Sequence, residues 1–255
     1  MMPGSLKGAA PRGRAWVDIL PRPALDRMRI AEIYHSVQGE GRLTGTASVF
    51  VRASGCNLRC SFCDTPFASW HPEGEDLAVD EIVAQVAQWP CGHVVLTGGE
   101  PMLFAELVTL CSILRGQGWH ITIETAGTRF LPLACDLMSI SPKLANSTPA
   151  YVQAPAWHAR HERSRQAADI VSRLIHDYPY QLKFVVGTAD DAAEAIDYLE
   201  QIPAADRRRV LLMPQATDWE SHQQIADWLQ PFCQRQGLQY GARRQLQWFG
   251  LVRGT

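Results

Sequence analysis

The sequence predicts an α/β domain, either a partial TIM-like barrel or an open doubly wound sheet, with about six parallel strands and helices outside. Short β-rich apolar runs alternate with longer amphipathic stretches, a pattern typical of right-handed βαβ units. With 255 residues and 46% hydrophobic content, the chain can bury one sizeable core. Because the strands are too few to close an eight-stranded barrel, an incomplete barrel is expected.

The strands are predicted where Val, Ile, Phe and Thr gather between polar or glycine-rich stretches. The first run alternates apolar and polar residues and precedes the βα alternation, and the others belong to it. In chain order the runs cover residues 29–34, 48–52, 93–97, 120–124, 137–140, 181–186 and 209–213.

The helices are predicted from amphipathic stretches between these strands. Asp80 is expected to cap the first helix, and Gly116 and Gly118 to stop the second. The helices cover residues 80–88, 104–115, 163–176, 191–201 and 219–235.

One domain is expected over residues 29–255. Residues 1–28 are rich in Pro, Gly, Ala and Arg and lack the apolar centre of a secretory signal, so they predict a flexible extension. The net charge of −2 argues against nucleic acid as a direct ligand. No apolar run is long enough for a membrane span. Seven cysteines, an odd number, argue against a disulfide framework and favour the cytoplasm.

Polar segments follow several of the strands directly. They are the cysteine-containing loop after residue 52, residues 97–100, residues 124–125 and residues 141–143. Since the carboxyl ends of parallel strands meet at one edge of a sheet or one end of a barrel, these segments are expected to converge there.

The first of these segments places Cys56, Cys60 and Cys63 in one short polar loop. Three thiolates can hold a [4Fe–4S] cluster and leave one iron open. An open position on a metal centre is a place for a cofactor or substrate, and S-adenosylmethionine (SAM) can fill it through its amino and carboxylate groups. The other cysteines are predicted to be small buried apolar side chains: Cys91, Cys111, Cys135 and Cys233.

A zinc site is the alternative for this loop, with Cys56, Cys60, Cys63 and His71 as ligands. Structural zinc sites usually pair two Cys-x-x-Cys knuckles, and the chain has no second one. A zinc or iron–sulfur binding module without enzyme activity therefore stays open as a less favoured interpretation.

The segment Gly98-Gly99-Glu100 also suits a cofactor. Glycines let the backbone approach a ligand closely, and Glu100 can pair with a cationic amino group. With the cysteine loop nearby in sequence, the segment is a second candidate element of the same site.

These two segments resemble the radical SAM family. Residues 55–63 match its Cys-x₃-Cys-x₂-Cys signature with an aromatic residue, Phe62, before the last cysteine, and residues 97–101 match its Gly-Gly-Glu-Pro motif. The resemblance implies reductive cleavage of SAM to a 5′-deoxyadenosyl radical. The residues expected to contact SAM are Phe62, Cys63, Asp64, Gly99, Glu100, Ser141, Pro142, Lys143 and Gln215.

Further segments, colinear over residues 30–215, resemble the 7-carboxy-7-deazaguanine synthase family. They are residues 37–41, 50–52, 63–65, 124–128 and 141–143. The resemblance implies conversion of 6-carboxy-5,6,7,8-tetrahydropterin to 7-carboxy-7-deazaguanine with loss of ammonia, in queuosine biosynthesis. It also implies Mg²⁺, a homodimer and an external electron donor of flavodoxin or ferredoxin type.

The residue types suit such a substrate. Gln38, Glu40 and the backbone at Val37 and Gly39 can complement the donor–acceptor edge of a pterin. Arg52 can hold the substrate carboxylate as a bidentate fork.

Two hydroxyl side chains complete the expected substrate site. Thr97 is expected to contribute a hydroxyl to the substrate. Thr65 is expected to bind Mg²⁺ together with the substrate carboxylate, because one threonine alone is a weak site for that ion.

A glycyl-radical-enzyme activase is the alternative within the radical enzymes. It would share the cysteine loop but act on a protein partner, and the pterin-directed residues argue against it. Two segments have no assigned role: residues 66–79, which are candidates for docking the electron donor, and residues 238–255, which are candidates for closing the substrate pocket.

Overall fold

The computed structural model describes residues 27–255. The predicted extension therefore lies outside the described residues up to residue 26, while Arg27 and Met28 already belong to the first strand, where Met28 is buried. No helix of the described part is long and apolar enough to cross a membrane.

Nine strands form one sheet, in the order β3-β1-β2-β4-β5-β6-β7-β8-β9. From β2 to β9 all neighbours pair in parallel, whereas β1 is antiparallel to both β2 and β3. The strands are β1 (Arg27–Val37), β2 (Ala47–Ala53), β3 (Glu75–Ala78), β4 (His93–Gly98), β5 (His120–Thr125), β6 (Leu137–Ile140), β7 (Tyr180–Val186), β8 (Val210–Pro214) and β9 (Gln239–Tyr240).

Seven α-helices complete the described part, and the connections from β4 to β9 run through five of them. The helices are α1 (Val79–Val86), α2 (Leu107–Gly116), α3 (Pro155–Arg165), α4 (Ala168–Asp177), α5 (Ala189–Gln201), α6 (Trp219–Gln236) and α7 (Arg244–Trp248). Because β3 and β9 are the two ends of the sheet, the barrel is open, and the partial TIM-like barrel is confirmed.

The two faces of the sheet differ in chemistry. Alternate strand residues, such as Val94, Ile123 and Phe184, join the buried side chains of the helices in one apolar core. The residues between them face the inside of the partial barrel and are polar on several strands. Inner-face polar residues include Arg52, Thr97, Glu124, Ser139, Gln181 and Lys183.

Three local predictions were wrong. The helix expected over residues 163–176 is two helices, α3 and α4, separated at residues 166–167. Asp80 does not cap α1, since the cap is Ala78, whose N–H donates to the Glu81 carboxylate. Residues 66–79, which received no secondary structure, contain the short edge strand β3.

Candidate active site

The cysteine loop leaves β2 at Ala53 and carries its own sulfur hydrogen bonds. The backbone N–H of Leu58 lies 3.4 Å from Cys56 Sγ, and the Ser69 hydroxyl lies 3.1 Å from Cys63 Sγ. The Cys63 N–H donates to the Cys60 carbonyl, which curls the loop into a turn. Such bonds to sulfur are typical of thiolates that ligate iron–sulfur clusters.

The glycines after β4 pack directly against this loop. A Cβ on Gly99 would lie 2.2 Å from the Gly55 carbonyl oxygen and 2.6 Å from that of Ala68. The Glu100 N–H donates to the Gly55 carbonyl at 2.9 Å. Position 99 therefore requires glycine because two backbone segments meet there, a structural reason beyond the expected approach of SAM.

Helix α3 supports the loop from the other side, a role that the sequence did not indicate. His161 is fully buried; its Nδ1 accepts from the Arg59 N–H at 3.1 Å and its Nε2 lies 2.9 Å from Ser147 Oγ. Burial lowers the pKa of His161 to about 4, so the ring is neutral at pH 7. The Arg59 guanidinium stacks 3.9 Å from the Trp157 ring of the same helix.

The thiols fit an iron–sulfur centre. Burial raises the pKa of Cys56 to about 12 and that of Cys60 to about 11, so without a cationic centre both sulfurs would hold their protons. Iron supplies the positive charge that displaces those protons. A cubane presents each ligand to a different iron, so the thiols need not converge on one point.

A single zinc ion fits less well. Within residues 27–255, no three His, Cys, Asp or Glu side chains are grouped closely enough to bind one metal ion. The fourth ligand of the zinc interpretation, His71, is exposed.

Glu100 is fully buried and joins the loops after β4 and β5. Its carboxylate accepts from the Met102 N–H at 3.1 Å, the Thr125 hydroxyl at 2.8 Å and the Ala126 N–H at 2.9 Å. Burial raises the pKa of Glu100, and these donors act against the shift. Since a carboxylate accepts about four hydrogen bonds, one acceptor position remains for a ligand such as an amino group.

The other residues expected to contact SAM also lie at the carboxyl ends of the strands. Ser141 follows β6 and accepts a 2.7 Å hydrogen bond from Lys143 Nζ. Lys143 is close enough to the cysteine loop to oppose the rise in the Cys60 pKa that burial causes. Gln215 follows β8, and its side-chain oxygen lies 3.4 Å from the Asn146 amide nitrogen.

On the substrate side, Arg52 and Thr97 are register neighbours on β2 and β4. Arg52 Nε donates to Glu32 at 2.7 Å and its Nη2 donates to the Tyr34 hydroxyl at 2.9 Å. Its remaining nitrogen, Nη1, has no hydrogen-bond acceptor among the described residues. The guanidinium is therefore held in place by β1, with one terminal nitrogen left for a ligand.

Glu40 is the centre of a charged network. Its carboxylate pairs with Lys183 at 3.1 Å and Arg243 at 3.1 Å, and accepts from the Gln245 amide at 2.6 Å. Lys183 also pairs with Glu124 at 2.7 Å. Burial alone would raise the pKa of Glu40, but Lys183 and Arg243 outweigh it and hold that pKa far below its usual range.

Arg243 connects the two sides of the site. Besides Glu40, its guanidinium pairs with Asp64 at 2.9 Å, next to the last cysteine of the loop, and donates to the Ala216 carbonyl. One side chain of the C-terminal segment thus spans the expected substrate residues and the cysteine loop.

The C-terminal segment also covers the end of β1. The Arg244 N–H donates to the Gly39 carbonyl at 2.9 Å, and a Cβ on Gly39 would lie 2.4 Å from the Gln245 side chain. Gln38 is buried, and its amide nitrogen donates to Ser48 at 2.9 Å. Arg253 reaches Glu32 at 3.0 Å, which is the carboxylate that holds Arg52.

Thr65 begins the 3₁₀ turn Pro66–Ala68, and its hydroxyl lies 3.8 Å from Cys63 Sγ. The neighbouring Asp64 carboxylate pairs with Arg243. The structure thus gives Thr65 no acidic cage, in keeping with a magnesium ion that would take its further ligands from substrate and water.

Two cavities, of about 550 and 440 Å³, lie away from this constellation. The first is at the β8–β9 edge beside Arg42 and Tyr240, and the second lies beside Arg165 and Glu194. The active site is therefore identified by the convergence of residues at the strand ends and not by the size of an open cavity.

Five residues of the site had no assigned role in the sequence: Glu124, His161, Lys183, Arg243 and Gln245. Lys183 lies inside a predicted strand as one of only three lysines in the chain, and this is the one feature that could have drawn attention to it. Glu124 belongs to the converging segment 124–125, whereas His161, Arg243 and Gln245 lack any local motif.

Comparison with known proteins gives consistent results. The family model described as Radical SAM superfamily matches residues 50–201. A 7-carboxy-7-deazaguanine synthase of Rhodopirellula baltica is 44% identical over 94% of this chain and 97% of the relative, and one of Halobacterium salinarum is 46% identical over 74% and 77%. The crystal structure of QueE from Escherichia coli has the same fold, with a TM-score of 0.62, 22% identity and coverage of 85% and 93%.

Proposed function

Because this chain belongs to the 7-carboxy-7-deazaguanine synthase family of radical SAM enzymes, we propose that it converts 6-carboxy-5,6,7,8-tetrahydropterin to 7-carboxy-7-deazaguanine and releases ammonia. Membership makes the chain an enzyme that uses a [4Fe–4S] cluster and SAM. The substrate, the magnesium ion and the roles of individual residues belong to the proposal.

One observation carries it: the cysteine loop and the pterin-directed residues meet at one end of the sheet, joined by Arg243 between Glu40 and Asp64. A cluster site alone would serve any radical reaction. Arg52, a cation with no acceptor for Nη1 among the described residues, and Glu40, a half-buried ionised carboxylate, are the two charge types that suit a carboxylated, N–H-rich ring.

The protein's own residues orient the reactants and exclude water. Arg52 would hold the substrate carboxylate through its free Nη1, while Glu40 and the Gln38 side chain would complement the pterin edge. When bound, the cluster and SAM supply the radical that abstracts hydrogen from the substrate. Glu100, Lys143 and Ser141 would hold the SAM amino acid group at the strand ends.

The magnesium site rests on Thr65, with the substrate carboxylate as a further ligand. Thr65→Ala should weaken the Mg²⁺ dependence of turnover while the visible absorption of the cluster is unchanged. A titration of turnover rate against Mg²⁺, compared with Thr109→Ala, which removes a hydroxyl from helix α2, tests this. An unchanged Mg²⁺ response would remove Thr65 as a ligand.

Two partners are part of the proposal: an external one-electron donor of flavodoxin or ferredoxin type and a second copy of the chain. Exposed apolar side chains near the C-terminus, Trp248, Leu251 and Val252, supply a surface that a homodimer could bury. Sedimentation velocity of the reconstituted protein would report a monomer if this part is wrong.

The deciding experiment is anaerobic turnover of the carboxytetrahydropterin with SAM, Mg²⁺ and dithionite, followed by mass spectrometry. We expect 7-carboxy-7-deazaguanine and one equivalent of ammonia, which together account for every atom of the substrate. Formation of 5′-deoxyadenosine without the deazaguanine would overturn the substrate and leave the radical SAM assignment in place. No contact of the described residues favours the glycyl-radical activase.

A further inference from the structure

Two segments beside the cysteine loop differ in their exposed charges. On one side, residues 66–79 expose Glu73, Glu75 and Asp76. On the other side, the loop after β5 and helix α3 expose basic side chains. The exposed arginines of this second side are Arg129, Arg160 and Arg163.

The basic side contacts the cysteine loop directly. Arg129 follows Thr128, whose hydroxyl is hydrogen-bonded to Asn57 at 2.9 Å. Arg160 lies 4.8 Å from the Trp157 ring, on which Arg59 also stacks. Each of these contacts ends on a loop residue adjacent or close to a cluster cysteine.

Apolar side chains accompany these cations. Tyr151 is 64% exposed and Val152 is 92% exposed, which is unusual for residues of this size. They follow Ser147, whose carbonyl accepts from the N–H of Ser61, an exposed residue between two of the cysteines. The exposed apolar pair is thus only a few residues along the chain from Ser147, which contacts the cysteine loop.

Negative charge is nearly absent from this side. In residues 148–163 the one carboxylate is Glu162, which is held by Arg165 at 2.9 Å and by the Thr148 hydroxyl. The basic face, defined as Arg129, Arg160 and Arg163 with Tyr151 and Val152, thus combines exposed apolar side chains with arginines that have no ion pair among the described residues. That composition is typical of an interface for an acidic partner.

We propose that the basic face is the docking surface for the protein that reduces the cluster, a small acidic one-electron carrier. One electron leaves the reduced carrier and enters the oxidised [4Fe–4S] cluster, and no proton or group is transferred. Residues 66–79 offer no comparable positive surface, because Glu73, Glu75 and Asp76 offset the neighbouring Arg27, Arg29 and Arg253, so the encounter is steered to the basic face. The inference rests on the radical SAM chemistry of the proposed function and not on its pterin substrate.

The test uses the reconstituted full chain and an acidic flavodoxin as the probe. The triple variant R129E/R160E/R163E should bind the flavodoxin at least about tenfold more weakly at low salt, measured by calorimetry with the cluster loaded. Wild-type affinity should fall as salt rises, while that of the variant should change little. The single variants R129E, R160E and R163E are compared with Arg235→Glu, the same change at an exposed position of α6.

A kinetic readout separates docking from the rest of the function. The rate of 5′-deoxyadenosine formation from SAM alone should fall with reduced flavodoxin as donor and stay unchanged with dithionite. Since this assay contains no pterin, it works even if the proposed substrate is wrong. Absence of dithionite-driven cleavage in the wild type would instead overturn the radical chemistry.

Equal flavodoxin affinity in the wild type and the triple variant would overturn the docking surface. The same conclusion would follow if each single variant lost no more affinity than Arg235→Glu does. If the triple variant also loses dithionite-driven cleavage, Val152→Asp decides. Val152 is almost fully exposed, so this change should preserve the fold. It should weaken flavodoxin binding alone, and unchanged binding would count against the proposal.

Discussion

The cysteine loop and the Glu40 network lie at the same end of the sheet but are built in different ways. The loop takes sulfur hydrogen bonds from residues two and six positions away in sequence. Glu40 pairs with Lys183 and Arg243, which are 143 and 203 positions away. The cofactor side therefore starts from a local motif, which helix α3 then supports through the contact of His161 with Arg59, whereas the substrate side exists only after the chain has folded.

The two regions also differ in what holds them. Backbone hydrogen bonds and close glycine packing fix the loop, as at Gly55 and Gly99. Buried charges fix the network, and each depends on its partner because an unpaired buried charge is strongly destabilising. The four predictions below separate these two kinds of construction.

The largest effect is expected from Cys60→Ala, which removes one cluster ligand. Two remaining thiolates cannot hold the cluster, so its visible absorption and all SAM cleavage should be lost while the fold persists. Absorption spectra and 5′-deoxyadenosine assays check this. Cys91→Ala, at a half-buried cysteine outside the loop, is the control and should keep both.

Lys183→Met should break the network and spare the loop. It leaves Glu40 and Glu124, each with about a quarter of its side chain exposed, without their shared cation, at a cost of about 3 kcal/mol in the free energy of unfolding. Chemical denaturation measures this loss. The double variant Lys183→Met/Glu124→Gln should recover part of it, and a single variant as stable as wild type would mean that the network contributes nothing.

Gly99→Ala should damage the loop through packing alone. The added methyl group meets two backbone carbonyls that cannot move away easily, so a loss of about 3 kcal/mol and weaker cluster retention are expected. Iron content after gel filtration and thermal unfolding report both effects. At Gly116 a Cβ meets nothing, so Gly116→Ala should be neutral in both measurements.

The smallest effect concerns His161 and pH. Its pKa falls from the ordinary 6.5 to about 4 in the folded protein, so the unfolded chain binds more protons between these values. The stabilisation is therefore complete above pH 6.5 and is lost as pH falls towards 4, by about 2 kcal/mol between pH 7 and 5. His161→Gln should flatten this slope in denaturation curves, whereas His71→Gln, at an exposed site, should not change it.

Much of the fold could be predicted because its patterns are local. Alternating βα segments predicted the strands β4 to β8 and the open barrel, and turn residues placed most ends within a few positions. The helix expected over 163–176 was wrong because α3 has no apolar stripe: His161 alone is buried, against the cysteine loop, and periodicity cannot reveal such a contact.

The residues of the site fall into the same two groups, those that a local sequence pattern indicates and those that it does not. The sequence alone identified Cys56, Cys60 and Cys63 as proposed cluster ligands and Gly99 as a site of close backbone approach, because each lies in a short segment after a neighbouring strand. The pairing of Lys183 and Arg243 with Glu40, and of Lys183 with Glu124, arises only in the tertiary structure. These charges interact strongly only after the sheet has removed them from water and brought the paired groups within about 3 Å of one another.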